Sequence, residues 1–264
     1  MKDLIKMYFN KKIVKGFAER EQNPKHFAVA DIVDQIIMQV LGEMHANFKA
    51  CELGGWAHPD RYHRFFWELL KNGWTIDRVD ISPYMLELAK KYLDTPEYRE
   101  RLKVIKFVEN DIAKYLTGER ENSIDLAIMK YAIDHIQNID QLFNLLQKKL
   151  KKWWILVATI WVLSPELRSI SPNARFLYKG EAFPEDEIRI LKDGDIYTVN
   201  FLKVFWKPEY GYLPWAKTTK WYHSEKRYRQ IAKREWFDVF VGDWKKLISQ
   251  KKDGIAQYVL VLKK

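Results

Sequence analysis

Hydrophobic and polar residues follow two patterns that alternate along most of the chain. Short, largely apolar runs bounded by turn residues predict β-strands, and apolar residues spaced three or four positions apart predict helices between them. The predicted strands of this part are residues 48–53, 75–81, 103–108, 123–129 and 155–160. The predicted helices are residues 26–44, 62–70, 83–93 and 139–150. Strands that alternate with helices predict an α/β fold built on a parallel, doubly wound sheet.

The pattern changes between residues 163 and 221, where five prolines interrupt it and residues 195–205 resemble one or two strands. We interpret residues 163–221 as a β-containing insert that covers the carboxyl ends of the sheet strands. A helix over residues 224–234 and strands over 237–241 and 255–262 then complete the main domain. That domain therefore comprises residues 26–162 and 222–264. Residues 1–25 are a basic N-terminal segment, read either as a lid or as a frayed end.

A glycine turn follows the first predicted strand. Apolar residues lead into Glu52, and Gly54 and Gly55 then separate the strand from the next predicted helix. Such a turn lets the backbone approach a ligand closely and directs helix N–H groups toward it. In an open α/β sheet, this is the place where a nucleotide-like ligand binds. Asp80, at the tip of the second predicted strand, suits the two hydroxyls of a ribose.

The order and spacing of three short runs identify a family resemblance. The runs are ELGG at residues 52–55, VDISPYM at 79–85 and ENDI at 109–112. Together they resemble the class I S-adenosylmethionine-dependent methyltransferases, from about residue 27 to the C-terminus. The resemblance implies a seven-stranded, mostly parallel sheet of order 3-2-1-4-5-7-6, with helices on both faces and the last strand antiparallel. It also implies S-adenosylmethionine as the cofactor.

The resemblance assigns a set of residues to the cofactor. Asp111 and Ile112 would border the adenine, although Asp111 has an alternative role as the cap of the following helix. The predicted cofactor-binding residues are Glu52, Gly54, Gly55, Trp56, Asp80, Ile81, Asn110, Asp111, Ile112 and Lys130.

Methyl transfer from a sulfonium needs a base only when the acceptor must lose a proton, and orientation can supply most of the catalysis. The loop after the fourth predicted strand lies beside the sulfonium in this family. Its candidate bases are His135, Asp134 and Tyr131, and His223 at the end of the insert is a further one. Each has an alternative structural role. The six histidines show no ligand spacing with carboxylates, so no metal is predicted.

The acceptor is predicted to be a small molecule, because the insert resembles a pocket cover. A net charge of +10 leaves an RNA or protein methyltransferase as the alternative. A non-catalytic member that binds cofactor or a partner is a second alternative. An NAD-type oxidoreductase is disfavoured, because the third glycine of its fingerprint is missing after Gly55. The accepting atom and the oligomeric state do not follow from the sequence.

Composition limits the compartment and the cysteine chemistry. Cys51 is the single cysteine, which excludes an intramolecular disulfide and a cysteine-cluster zinc site, and its strand position predicts an inert buried thiol. Residues 1–20 lack the apolar run of a signal peptide, and no segment is long enough to span a membrane. The sequence therefore predicts a cytoplasmic protein with no membrane partner.

Tryptophan is in excess and glycine in deficit, with eleven of each, whereas about 7% glycine would give roughly 18. Trp56, Trp153, Trp154 and Trp236 occupy turns or helix-to-strand joints that favour glycine, and Trp74 is a further bulky ring beside a turn. We hypothesise that the first four stand in for glycine through a stop-type codon read as glycine in the source. A lineage that simply favours tryptophan is the alternative. Ordinary tryptophan codons at those positions would exclude the hypothesis.

Overall fold

The computed structural model describes most of the chain from residue 48 onward. The described residues are 9–11, 14, 15, 35 and 38, followed by 48–54, 69–96, 98–100, 102–130, 132–161, 174–179, 181–182, 191–202, 212–235, 238–240 and 257–263. Gly55, Trp56, Tyr131 and Trp236 lie outside them, as do residues 1–8 of the N-terminal segment. Within the described part, no helix has the length and apolar character needed to cross a membrane.

Seven strands form the main sheet. They are β1 (Lys49–Leu53), β2 (Thr75–Asp80), β3 (Ile105–Glu109), β4 (Ile124–Met129), β5 (Leu150–Trp161), β10 (Asp238–Phe240) and β11 (Gln257–Lys263). The spatial order is β3-β2-β1-β4-β5-β11-β10. The first five strands run parallel, whereas β11 is antiparallel to both β5 and β10. Since β10 and β11 are the sixth and seventh strands of this sheet, the predicted order 3-2-1-4-5-7-6 is confirmed.

Four described helices pack around the main sheet. They are α1 (Pro83–Leu93), α2 (Ile112–Gly118), α3 (Ile139–Lys149) and α4 (Glu225–Arg234). Each begins behind a residue whose side chain accepts a hydrogen bond from a backbone N–H of the first turn, which is the preferred N-cap arrangement. These N-caps are Ser82, Asp111, Asn138 and Ser224. Pro83 adds a preset helical φ at the first position of α1.

Hydrophobic clusters cover both faces of the main sheet, as a parallel sheet requires. Side chains alternate along β1, so Ala50 joins one cluster and Cys51 the other. The cluster with Ala50 includes Leu93 of α1, and the cluster with Cys51 includes residues of α2, α3 and α4. The helices therefore lie on opposite faces, which confirms the doubly wound architecture.

A second, smaller sheet lies within the predicted insert. Its strands are β6 (Ala174–Tyr178), β7 (Glu181–Ala182), β8 (Ile196–Leu202) and β9 (Tyr212–Trp221), in the order β7-β6-β8-β9 and all antiparallel. The β character predicted for the insert is thus observed. The division into an N-terminal segment, a main domain and an insert stays a prediction.

Two expectations about tryptophan and glycine are wrong. Strand β5 begins at Leu150 and not at residue 155, and the joint at Leu150 is extended, with φ −67° and ψ 137°. Any residue adopts that conformation, so the end of α3 does not require glycine. Trp153 and Trp154 lie within β5, in the irregular stretch where its register with β4 shifts between Leu150 and Ile155. Trp74 is 1% exposed and packs edge-to-face on Phe48 at 5.1 Å, so it is a core residue. The decoding hypothesis itself stays a prediction.

A polar network joins α2 to the first two strands. The Tyr115 hydroxyl of α2 donates to Asp77 Oδ2 at 2.6 Å and lies 3.2 Å from Cys51 Sγ, while Lys49 Nζ lies 2.9 Å from the same Asp77 oxygen. Burial raises the pKa of the Cys51 thiol to about 12, so the thiol is neutral at physiological pH. Cys51 is buried, as predicted, and the network holds the middle of α2 against the first half of β1 and the middle of β2.

Candidate functional site

The carboxyl ends of β1, β2 and β3 meet at one edge of the main sheet. The Gly54 N–H donates to the Val79 carbonyl at 2.8 Å, and the Asn110 N–H donates to the Asp80 carbonyl at 3.0 Å. These two hydrogen bonds extend the strand pairing by one residue on each side of β2. Three of the predicted cofactor-binding residues, Gly54, Asp80 and Asn110, are therefore neighbours in space. This edge is the ligand-binding position of an open α/β sheet.

Gly54 brings the turn into close contact with the loop after β4. Its φ is +79°, in the left-handed region that favours glycine. A Cβ at this position would lie 2.3 Å from the Ala132 Cβ and 3.8 Å from Ile112 Cδ1. No side chain fits there, so glycine is required for both its backbone conformation and its size. The adjacent Gly55 and Trp56 lie outside the described residues.

Asp80 stands at the tip of β2 with part of its surface accessible. Its Oδ1 accepts a hydrogen bond from the Ser82 N–H at 2.7 Å, which fixes the carboxyl group at the start of α1. Burial among the surrounding groups raises its pKa to about 7, and the Ser82 hydrogen bond opposes that rise. The carboxyl is thus positioned to accept hydrogen bonds from a ligand, and its protonation state changes near neutral pH. Ile81 follows it, also partly exposed.

Glu52 forms a buried ion pair that the sequence analysis missed. Arg78 is opposite Glu52 in the parallel pairing of β1 and β2, and its Nε lies 2.9 Å from Glu52 Oε2, an ionic contact without good hydrogen-bond alignment. The side chains of Arg78 and Glu52 are 0% and 4% exposed, respectively. A charged residue in a strand covered on both faces needs a charged partner. The position of Arg78 within β2 was therefore a signal that could have revealed it.

The run at residues 110–112 begins helix α2. Asp111 is exposed, and its Oδ1 accepts a hydrogen bond from the Lys114 N–H at 3.0 Å, so its alternative role as a helix cap is observed. Ile112 is buried and reaches toward Gly54. Asn110 is partly exposed at the edge described above. The adenine contacts predicted for this run stay a prediction.

The loop after β4 carries the predicted bases and contacts the second sheet. Lys130 follows β4 and is 4% exposed. A 3₁₀ helix, Ile133–His135, comes next, and Asp134 within it is 2% exposed. The Lys220 Nζ of β9 lies 3.0 Å from Asp134 Oδ2, and Lys220 is also buried. This ion pair joins β9 of the second sheet to the loop after β4, and the sequence did not predict it.

Two histidines make further contacts between this loop and the segment of residues 219–223. His135 Nδ1 lies 3.1 Å from the Thr219 carbonyl, and His223 Nε2 lies 3.1 Å from the Ile136 carbonyl. A carbonyl can only accept, so each of these nitrogens is the one that carries the hydrogen in the neutral ring. Burial, assisted by Lys220, lowers the pKa of His135 to about 3, and burial also lowers the pKa of His223. Both rings are neutral at physiological pH.

Comparison with known proteins agrees with this architecture. The methyltransferase domain family matches residues 62–156 of the chain, and no curated protein matches it. One solved structure of this fold is an S-adenosylmethionine-dependent methyltransferase from Methanosarcina mazei. It has a TM-score of 0.55 and 14% identity, covering 85% of this chain and 96% of its own.

Two further solved structures have named acceptors. The 1,6-didemethyltoxoflavin-N1-methyltransferase of Burkholderia thailandensis has a TM-score of 0.52 and 12% identity, covering 96% of this chain and 85% of its own. The magnesium protoporphyrin IX methyltransferase of Synechocystis has a TM-score of 0.51 and 13% identity, covering 90% of this chain and 81% of its own. At these identities the likeness shows a shared fold.

The domain match and the shared fold together confirm the class that the sequence predicted. The chain carries a class I S-adenosylmethionine-dependent methyltransferase domain. The prediction of S-adenosylmethionine as its cofactor is confirmed with the class. The residues that bind the cofactor and the identity of the acceptor are matters for the proposal below.

Proposed function

We propose that this chain transfers a methyl group from S-adenosylmethionine to a small molecule held between the edge of the main sheet and the second sheet. The observation that carries the proposal is the docking of β9 on the loop after β4. Thr219 and Lys220 of β9 contact that loop at His135 and Asp134, and His223, two residues after β9, contacts it at Ile136. An insert fixed in this way forms a wall beside the transfer position. The toxoflavin and porphyrin enzymes of the same fold act, by their names, on small molecules.

The described residues fit the cofactor. Gly54 lets the backbone approach closely, and no Cβ could be placed there. Asp80 supplies a carboxylate at the strand tip, where it would accept hydrogen bonds from both ribose hydroxyls. Asn110, Asp111 and Ile112 would border the adenine. The remaining proposed contacts are Glu52, Gly55, Trp56, Ile81 and Lys130.

The cofactor, when bound, supplies a methyl group on a sulfonium that is already a good leaving group. The chain's own contribution is then to orient the acceptor and to exclude water. The Nδ1–H of His135 is held by Thr219, and the ring stays neutral at physiological pH. A group with a pKa near 3 is a weak base, so we propose that His135 orients the acceptor and that transfer relies on orientation. Asp134 is held by Lys220, and the role predicted for Tyr131 stays a prediction.

Titration with S-adenosylhomocysteine tests cofactor binding. We expect the wild-type chain to bind, and Asp80→Asn to bind about 10- to 100-fold more weakly, because a charged hydrogen bond contributes about 1.5–3 kcal/mol. Asp94→Asn is the matched control: this aspartate is exposed, pairs with Arg99 at the other end of α1, and should leave the affinity unchanged. A folded wild-type chain that does not bind would refute the proposal. Equal affinity in Asp80→Asn would remove Asp80 from the site.

The acceptor class is tested by following the labelled methyl group. Purified protein and methyl-labelled S-adenosylmethionine are incubated with a cell extract that has been separated into small-molecule, RNA and protein fractions. We expect label in the small-molecule fraction. Label in the RNA or protein fraction would instead support the alternative that the net charge of +10 favours.

A further inference from the structure

Arg78 is a buried cation beside the proposed cofactor site. It faces Glu52 across the β1–β2 pairing, and it lies two residues before Asp80 on the same strand. Residues two apart in a strand share a face of the sheet, so Glu52, Arg78 and Asp80 form a row of negative, positive and negative charge. Burying a guanidinium costs several kcal/mol before pairing offsets it. The general stability of the sheet does not require such a residue.

The charges around Asp80 act in opposite directions. Among the described residues, Glu52 on β1 and Arg78 on β2 interact with it, and Glu109 on β3 stands opposite it in the sheet register. Burial raises the pKa of Asp80 to about 7, Arg78 lowers it, and Glu52 raises it. The positive charge of Arg78 therefore opposes the protonation of a carboxyl that titrates close to physiological pH.

We propose that Arg78 is a positioning residue of the cofactor site, which neutralises Glu52 and favours the ionised form of Asp80 as the acceptor for the ribose hydroxyls. This inference rests on the proposed function, since it assigns Asp80 to the ribose. Arg78 itself does not contact the cofactor in this scheme. It acts through the two carboxylates beside it.

The inference predicts a pH-dependent affinity for the ribose. A protonated Asp80 loses its charge and one acceptor position, so the affinity falls as the pH drops below about 7, approaching tenfold per pH unit. His135 and His223 do not interfere with the measurement of the Asp80 titration, because burial lowers the pKa of both histidines. Adenosine is the suitable probe, since it carries the ribose and the adenine without the ionisable amino-acid end of the cofactor.

The experiment measures the affinities for adenosine and S-adenosylhomocysteine from about pH 5.5 to 8.5, a range that brackets the Asp80 titration. Three proteins are compared: wild type, Glu52→Gln and the double variant Glu52→Gln/Arg78→Met. Glu52→Gln removes the negative neighbour, so the pH midpoint should move below that of wild type. Adding Arg78→Met then removes the positive neighbour, and because position 52 is already Gln, no buried carboxylate loses its ion-pair partner. The midpoint should then rise by about one unit relative to Glu52→Gln, because a nearby opposite charge typically shifts a pKa by about 1–3 units.

A purely structural role for Arg78 gives a different result. It would weaken binding or stability at every pH while leaving the midpoints of the two variants equal, and that outcome overturns the inference. If the double variant does not fold, Glu52→Gln/Arg78→Gln replaces it in the same comparison, and a midpoint equal to that of Glu52→Gln overturns the inference. A folded wild-type chain that binds S-adenosylhomocysteine at no pH defeats the proposed function instead, which separates the two failures.

Discussion

Gly54→Ala is expected to abolish measurable S-adenosylhomocysteine binding and to lower the free energy of unfolding by about 2–4 kcal/mol. Two costs combine. The new side chain must adopt a φ of +79°, and its Cβ would lie 2.3 Å from the Cβ of Ala132. Either the turn or the loop after β4 must move, and both border the proposed cofactor site. Calorimetric titration gives the binding result, and denaturant unfolding gives the stability.

Substitutions at two other glycines separate the cost of the backbone conformation from the cost of the steric clash. Gly194 has a φ of +94° and open space where a Cβ would lie, so Gly194→Ala should lose only the backbone term, about 1–2 kcal/mol. Gly118 also has open space and no left-handed φ, so Gly118→Ala should leave the stability close to that of wild type. Neither substitution should change the affinity for S-adenosylhomocysteine. Wild-type affinity in Gly54→Ala would show that the turn tolerates the displacement.

Lys220→Met is expected to lower the free energy of unfolding by about 3–5 kcal/mol, because it removes the cation from a buried ion pair and leaves Asp134 buried with its charge. It should also raise the pKa of His135, since Lys220 contributes to lowering it. Denaturant unfolding measures the first effect, and an NMR titration of labelled histidine measures the second.

The double variant Asp134→Asn/Lys220→Met tests the cause. With both charges removed, we expect most of the lost stability to return, whereas a simple loss of lysine packing would persist. Lys103→Met is the surface control, because Lys103 pairs with Glu100 while both side chains are largely exposed. A Lys220→Met variant as stable as Lys103→Met would show that the Asp134–Lys220 pair does not join the insert to the main domain.

Much of the fold could be predicted from local patterns. The bounds of α1 match the prediction, because Ser82 caps the helix and Pro83 starts it. The bounds of β4 are within one residue, because a run of apolar residues in a doubly covered strand is an unambiguous signal. Local patterns failed at the start of β5 and at Trp74. At β5, the strand begins before the apolar run and its pairing with β4 is irregular between Leu150 and Ile155, whereas Trp74 is accommodated by packing on Phe48.

Some residues of the proposed site could likewise be predicted from local sequence patterns, and others could not. Gly54 and Asp80 could be predicted because a left-handed turn and a carboxylate at a strand tip each have a recognisable local sequence pattern. Arg78 and Lys220 could not be found by hydropathy, which treats both as surface residues. Their partners, Glu52 and Asp134, lie far away along the chain, so only the assembled sheets show that each cation is buried beside a carboxylate.

The sequence by itself therefore determined the class of fold, the strand order through its family resemblance, and the glycine turn that is proposed to approach the cofactor. These depend on short-range periodicity and on residues with special backbone geometry, both of which are local properties of the chain. Only the tertiary structure decided the ionisation of Asp80, the tautomer and neutrality of His135, and the attachment of the insert to the loop after β4. Each of these depends on desolvation and on charges brought together from distant parts of the chain.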